Sequence, residues 1–300
     1  MTTRTIAPTN PKLWYAAIKP PMYSVAVMPI WVGSAIAYAE TQQFNGPIFI
    51  TFLLAAVLIL AWENLSNDVF DSETGVDVNK RNSLVNMTGN KALIFGLGHL
   101  CLALGLGGIA TIAFWQNDLT VIGLILLCCA IGYIYQGPPF RLSYHGVGEV
   151  LCFFAFGPVA GAAAYYSQTR SWSGANLAAS VVVGIATSLI LFWSHFNQVR
   201  DDAAVGKRSP IVRLGTRRAA ALLPWMCGSL YGLTTIGVLL HLFPLGTLLI
   251  WCSLPLARKL CHFIGSQHDQ PEKLLFCRLM AVELHFWSGL LFGLGFVLSW

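Results

Sequence analysis

Between Asn67 and Asp77 the chain places Asp68, Asp71, Glu73 and Asp77, four carboxylates within ten residues, and follows them with Lys80 and Arg81. Two carboxylates about 6 Å apart at an effective dielectric near 20 repel by roughly 3 kcal/mol. Concentrating them beside apolar segments calls for a neutralising partner, and a divalent cation is the simplest one. In a helix Asn67 and Asp71 stand four residues apart and Asp68 and Asp71 three apart, so their side chains share a face. Gly75 then allows a turn that brings Asp77 back toward them. A solvated acidic loop would have the same composition; the surroundings of the stretch argue against it.

The pattern occurs twice. Asn67-Asp68-Val69-Phe70-Asp71 and Asn197-Gln198-Val199-Arg200-Asp201 share the form Asn-x-Val-x-Asp, and the second is followed by Asp202. Downstream, Lys80-Arg81-Asn82-Ser83-Leu84-Val85 answers Lys207-Arg208-Ser209-Pro210-Ile211-Val212, and each leads to a glycine, Gly89 or Gly215. Acids from two helix ends beside basic residues suit an anion bound through metal. Magnesium takes one or two carboxylates and completes its shell with water and phosphate oxygens, which makes diphosphate the expected anion. The metal would act as a Lewis acid on a departing diphosphate. Lys80, Arg81, Arg200, Lys207 and Arg208 would hold its non-bridging oxygens, although positive residues also gather at such positions to set membrane topology.

The elements that must position these residues are apolar. Of 300 residues 56% are hydrophobic and only 10% charged, against about 25% charged in a soluble domain. Stretches long enough to cross a hydrocarbon core of about 30 Å recur along the chain. The expected fold is all-α, a polytopic bundle of about nine transmembrane helices in two pseudo-repeated halves, forming one domain over 1–300. The spans fall near 20–39, 47–65, 91–114, 119–136, 146–167, 176–197, 218–240, 243–262 and 280–299, with motif loops at about 66–90 and 197–216. The run from Met22 is too long for the apolar core of a signal peptide, so it reads as the first span. With nine spans every Lys and Arg except Arg170 falls on one side, so the N-terminus and both motifs are expected to be cytoplasmic. The eight cysteines show no Cys-x-x-Cys spacing and read as packing residues. Gly96, Gly98, Gly105, Gly107 and Gly108 read as close helix packing. Glu63 and Glu149, near span ends, are functional candidates as intramembrane acids, with snorkelling or helix N-terminal placement as the plainer alternative.

At these residues the chain resembles the UbiA superfamily of intramembrane aromatic prenyltransferases. Asn67-Asp68-x-x-Asp71 with Asp77 is similar to its first aspartate-rich motif. Lys19-Pro20 stands where the family often has Arg-Pro. Tyr135-Gln136-Gly137-Pro138-Pro139 with Arg141 and Leu142 is similar to its Tyr-x-x-Pro-Pro-x-x-Leu loop, and Gly146-Val147-Gly148-Glu149 follows as in the naphthoate branch. Asn197-Gln198-Val199-Arg200-Asp201, Gly206-Lys207-Arg208-Ser209 and Val212-Arg213-Leu214-Gly215 resemble that branch's second motif, in particular its cyanobacterial and plastid phylloquinone subgroup.

The resemblance implies transfer of a prenyl group, phytyl in that subgroup, from its diphosphate to 1,4-dihydroxy-2-naphthoate or its quinone form, with loss of carbon dioxide and diphosphate. It implies Mg2+ on Asn67, Asp68, Asp71, Asp77, Asn197, Asp201 and Asp202, with Asp68, Asp71 and Asp201 as the catalytic acids. Lys19 and Arg141 join the diphosphate-binding set, and Tyr135, Tyr144 and His195 are acceptor-side candidates. For His195 a buried, hydrogen-bonded structural role is the favoured reading, and the tyrosines also read as interfacial belt residues. The partners implied are the prenyl diphosphate, the carboxylated naphthalenoid and the lipid bilayer of a cell inner membrane or a thylakoid, with no nucleic acid. The second motif departs from the usual Asp-x-x-x-Asp by carrying Asn197 first, and Val205 stands fourth after Asp201. The first motif is therefore expected to carry more of the metal binding. Homogentisate or chlorophyll-type prenyl transfer, and a secondary transporter with acidic repeats, are the competing readings.

Overall fold

The computed structural model describes residues 11–76 and 83–299; Asp77, Lys80 and Arg81 lie outside the described residues. All regular structure among the described residues is helical. In chain order the helices are α1 (Pro11–Ile18), α2 (Ser24–Thr41), α3 (Gly46–Thr74), α4 (Leu84–Thr88), α5 (Lys91–Gln116), α6 (Thr120–Gln136) and α7 (Gly148–Phe154). They continue with α8 (Ala160–Thr169), α9 (Gly174–Ala204), α10 (Pro210–Leu214), α11 (Thr216–Leu239), α12 (Leu254–Gln267) and α13 (Cys277–Val297). The protein is an integral, multi-pass membrane protein: among the described residues eight helical stretches are long and apolar enough to cross a bilayer. The fourth expected span, α6, has 17 residues, about 26 Å at a rise of about 1.5 Å per residue, just short of the hydrocarbon thickness.

Two boundaries differ from the hydropathy reading, and both bear on the site. α3 runs on through Thr74 and α9 through Ala204, so both polar motifs are terminal turns of long helices rather than loops. A hydropathy window ends where charge begins, whereas a helix ends where its hydrogen bonds can be relayed. Gly75, at φ 79° in the left-handed region, ends α3. Each long helix then repeats one unit. A serine, Ser83 or Ser209, precedes a five-residue helix, α4 or α10; a glycine with positive φ, Gly89 or Gly215, closes it; and another long helix follows.

α2 and α9 lie at the centre, with two thirds of their most apolar windows buried. They share a core with α11 and α13 built on Ile36, Leu189, Trp193, Phe196, Leu230 and Phe292. A second core joins α3, α5 and α6 through Phe52, Trp62, Ile109, Ile112 and Ile125. Between α7 and α8 the helix widens into one π turn, Ala155–Val159, around Pro158, whose ring and missing N–H disrupt regular pairing. The glycine run of α5 divides by face. A Cβ on Gly105 would lie 2.9 Å from the Ala55 carbonyl, and one on Gly108 would lie 3.1 Å from the Ala55 Cβ, whereas Gly96 and Gly107 meet nothing within 4 Å. The opposite stripe, Leu93, Leu97, Leu100 and Leu104, is exposed where lipid would lie.

Gly105→Leu is therefore expected to destabilise the protein by about 1–3 kcal/mol through overpacking. Gly107→Leu on the same helix should leave thermal stability unchanged. Melting temperatures of the two variants in detergent check the contrast.

Candidate active site

A cavity of about 1670 Å³, counting its open mouth, lies between the ends of α3 and α9 and extends into the bundle. Asn67 and Asp71, one turn apart on α3, line it together with Asn64 and Glu63; Ser194, His195 and Gln198 face it from α9. Lys19, Lys207 and Arg278 bring positive charge to the same wall. Deeper in, the lining is apolar: Met22, Val25, Ile30, Phe52, Ile125 and Phe156, the last carried by the π turn.

The helical register separates the carboxylates of the first motif. Asp71 faces the cavity, whereas Asp68 is 1% exposed and turned into the protein. Asp68 Oδ2 accepts a hydrogen bond of 2.8 Å from the Leu84 N–H, and Lys19 Nζ lies 3.7 Å from its other oxygen. Asp68 thus anchors the start of α4 and holds Lys19 at the mouth. Glu73 is bound by Lys91 and Arg141, at 2.5 and 3.0 Å, which ties the end of α3 to α5 and to the loop after α6. That assigns Arg141 an ion pair rather than a place in the cavity lining.

On α9 the register separates Asp201 from Asp202. Asp201 is exposed, three residues beyond Gln198 on the same helical face and outside the cavity lining. Asp202 is fully buried: His195 Nδ1–H donates to Oδ2 at 2.9 Å, and Lys207 Nζ lies 3.2 Å from Oδ1. The other ring nitrogen of His195 is 3.5 Å from Glu149 Oε1. Asn197 lies off the lining, but its Oδ1 is buried without a hydrogen-bond partner among the described residues. Arg200 points outward, 3.7 Å from Glu272, with about three quarters of its side chain exposed. Arg208 is exposed, and its backbone N–H binds the Tyr144 carbonyl.

Tyr135 lines the cavity, while Tyr144 joins its two walls. The Tyr144 hydroxyl is 2.6 Å from the Thr74 hydroxyl at the end of α3, and Lys207 Nζ stands 5.6 Å over its ring. Burial pushes the Tyr144 phenol up to about 12, so it keeps its proton and its bond to Thr74 at any working pH.

Among the described residues no three His, Cys, Asp or Glu side chains converge as a closed metal site. The donors still suit a hard divalent cation. Asn67 and Asp71 offer oxygens at the cavity wall, Asp201 stands exposed beyond Gln198, and Asn197 Oδ1 has no hydrogen-bond partner among the described residues. Such a set would be completed by substrate oxygens and water. Glu63 stood out in the sequence only as an intramembrane acid, and Asn64 did not stand out, although its place three residues before Asn67 is the signal that points to it. Arg278 was not legible there, because only the packing of α13 brings it to the mouth.

Residues 26–290 match the model of the UbiA prenyltransferase family. The chain is 54% identical over 290 residues to the 2-carboxy-1,4-naphthoquinone phytyltransferase of Synechocystis sp., covering 97% of this chain and 94% of that protein. It is 42% identical to the chloroplastic 2-carboxy-1,4-naphthoquinone phytyltransferase of Arabidopsis thaliana, covering 96% and 78%. Its fold is similar to a UbiA homolog from Aeropyrum pernix, with a TM-score of 0.68 at 16% identity over 93% of this chain and 97% of that one.

Asp71→Asn is expected to reduce turnover below detection while the protein still inserts and melts at the wild-type temperature. Asp202→Ala should instead cost about 3–5 kcal/mol of stability, because it leaves Lys207 buried without its partner. Melting temperatures measured without substrate, beside turnover, check both.

Proposed function

The chain belongs to the UbiA prenyltransferase family, and on that premise we propose that it transfers a phytyl group from its diphosphate to a carboxylated naphthalenoid. The acceptor is 1,4-dihydroxy-2-naphthoate or 2-carboxy-1,4-naphthoquinone, and carbon dioxide and diphosphate leave, as a step in phylloquinone or menaquinone biosynthesis. The carrying observation is the one-ended polarity of the cavity: oxygen donors and three cations at the mouth, and an apolar wall behind them. That matches a substrate with an anionic head and a long isoprenoid tail. The names of the relatives at 54% and 42% identity support the acceptor and the tail.

Magnesium held by Asn67, Asp71 and Asp201 would supply Lewis-acid stabilisation of the diphosphate; a UbiA homolog from Archaeoglobus fulgidus has been solved with DMAPP and Mg2+. Asp77, Asn197 and Asp202 remain proposed contributors, Asp202 through its hold on His195 and Lys207. Lys19, Lys207 and Arg278 neutralise non-bridging oxygens at the mouth, with Lys80 and Arg81 proposed to join them. The apolar wall keeps water from the allylic cation, which would otherwise be hydrolysed to the free alcohol. The ring carbon that bears the carboxylate forms the new C–C bond, and its bond to the carboxyl carbon then breaks. That electron pair returns to the ring as carbon dioxide leaves, so no strong general base is required. Tyr135 and His195 contribute to the acceptor's surroundings. We propose further that residues 1–300 act as one domain, with N-terminus and cavity mouth on the cytoplasmic side of a cell or thylakoid membrane.

Membranes containing the protein, incubated with magnesium and a panel of prenyl diphosphates and aromatic acceptors, should yield a decarboxylated phytyl naphthalenoid and diphosphate, identified by mass. Chelation of the metal should abolish both. Product formed only with homogentisate or a chlorophyllide would refute the acceptor assignment.

A further inference from the structure

Glu63 stands on the same face of α3 as Asn67 and Asp71, four and eight residues before them, and all three line the cavity. With a rise of about 1.5 Å per residue, it sits roughly 6 Å deeper than Asn67 and roughly 12 Å deeper than Asp71 along the helix axis. At that depth the cavity wall is formed largely by Ile59, Leu60, Cys128, Ile131 and Cys152. No Lys, Arg or His among the described residues forms an ion pair with Glu63. Its side-chain contact is the Gln136 amide, 3.5 Å from Oε2, at the limit of a hydrogen bond. The same amide donates a better bond, 2.9 Å, to the Glu63 backbone carbonyl. The facing helix makes room for the carboxyl: a Cβ on Gly132 of α6 would overlap Glu63 Oε1. A carboxyl placed in an apolar cavity with so little satisfaction is costly to keep, and intramembrane acids of this kind mark substrate positions.

We propose that Glu63 is the acceptor-positioning residue: its carboxyl hydrogen-bonds a ring oxygen of the bicyclic acceptor while the acceptor's own carboxylate faces the cations of the mouth. The inference rests on the functional reading above and adds to it where the ring lies. The diphosphate belongs at the mouth, and the isoprenoid tail has no atom that could use a carboxyl. Only the acceptor combines an anionic end with oxygens elsewhere on an apolar ring. A carboxylate accepts from a ring hydroxyl, and the acid form can also donate to an oxo oxygen, so either redox form of the ring is served. Held at both ends, the ring presents its carboxylate-bearing carbon beside the carbon that leaves the diphosphate. Gly132 is the second part of the device, because it leaves the notch into which the carboxyl fits.

Purified wild type, Glu63→Leu, Glu63→Gln and Gly132→Ala are titrated with 1,4-dihydroxy-2-naphthoate by its fluorescence, without metal or donor, and separately with phytyl diphosphate and magnesium. Glu63→Leu should weaken naphthoate binding, and raise the KM for naphthoate, by about ten-fold or more, the loss expected for one buried hydrogen bond, with donor affinity held within about two-fold. Glu63→Gln should recover most of the binding, and Gly132→Ala, which displaces the carboxyl, should behave like Glu63→Leu. Unchanged naphthoate affinity in Glu63→Leu, equal losses for donor and acceptor, or no naphthoate binding by the wild type would each overturn the proposal. Failure of the wild type to form prenylated product would overturn the functional reading alone, since the titrations decide the role of Glu63 without turnover.

Discussion

The mouth of the cavity depends on a carboxylate that has been taken out of water. Asp202 is fully buried, and it is tolerable there because His195 binds one of its oxygens and Lys207 stands beside the other. A buried charge that lost one of these partners would cost several kcal/mol, so the three groups depend on one another. Lys207 also lies over Tyr144, and Tyr144 meets Thr74 at the end of α3. The charge balance around Asp202 thereby joins the ends of the two long helices that carry the motifs. It also aims His195 and Lys207 into the cavity, where a substrate anion would find them.

The first motif solves the same problem differently. Asp68 and Asp71 are three residues apart, yet one is turned into the protein to receive the Leu84 N–H while the other faces the cavity. A helix end that must both fold its following segment and present ligands divides its carboxylates between the tasks. Lys19 joins the two, since it pairs with Asp68 and lines the mouth. The repeated unit of long helix, buried serine, five-residue helix and long helix occurs in both halves. The halves are not copies in their polar contacts: Asp68 accepts from the Leu84 N–H and pairs with Lys19, whereas Asp202 is held by His195 and Lys207.

Polarity falls along the cavity from mouth to depth. In the proposed function, cations and oxygen donors at the mouth would hold the leaving anion, and the apolar wall would shelter a reactive carbocation. Glu63 interrupts the apolar wall about one helical turn below Asn67. Its place on the cavity face of α3 makes that helix an axial ruler, with Asp71, Asn67 and Glu63 at successive depths.

Much of this was legible in one dimension. Low charge with recurrent apolar runs determined a helical membrane bundle, and the doubled Asn-x-Val-x-Asp pattern located both motifs at one end of it. Helical spacing already put Asn67 and Asp71 on one face. Hydropathy stopped the helices at their first charges, because it registers cost to lipid and not the partners that offset that cost inside a bundle. Composition likewise could not separate Asp201 from Asp202, or predict that Arg200 turns outward to Glu272 while Arg278 faces the cavity. Neighbouring residues on a helix differ by about 100° in direction, so their fates depend on which helices pack against each face. The sequence by itself determined the helical bundle and the two polar motifs. Only the tertiary structure decided which carboxylates face the cavity and which hold the protein together, because that choice is made by partners distant in the chain.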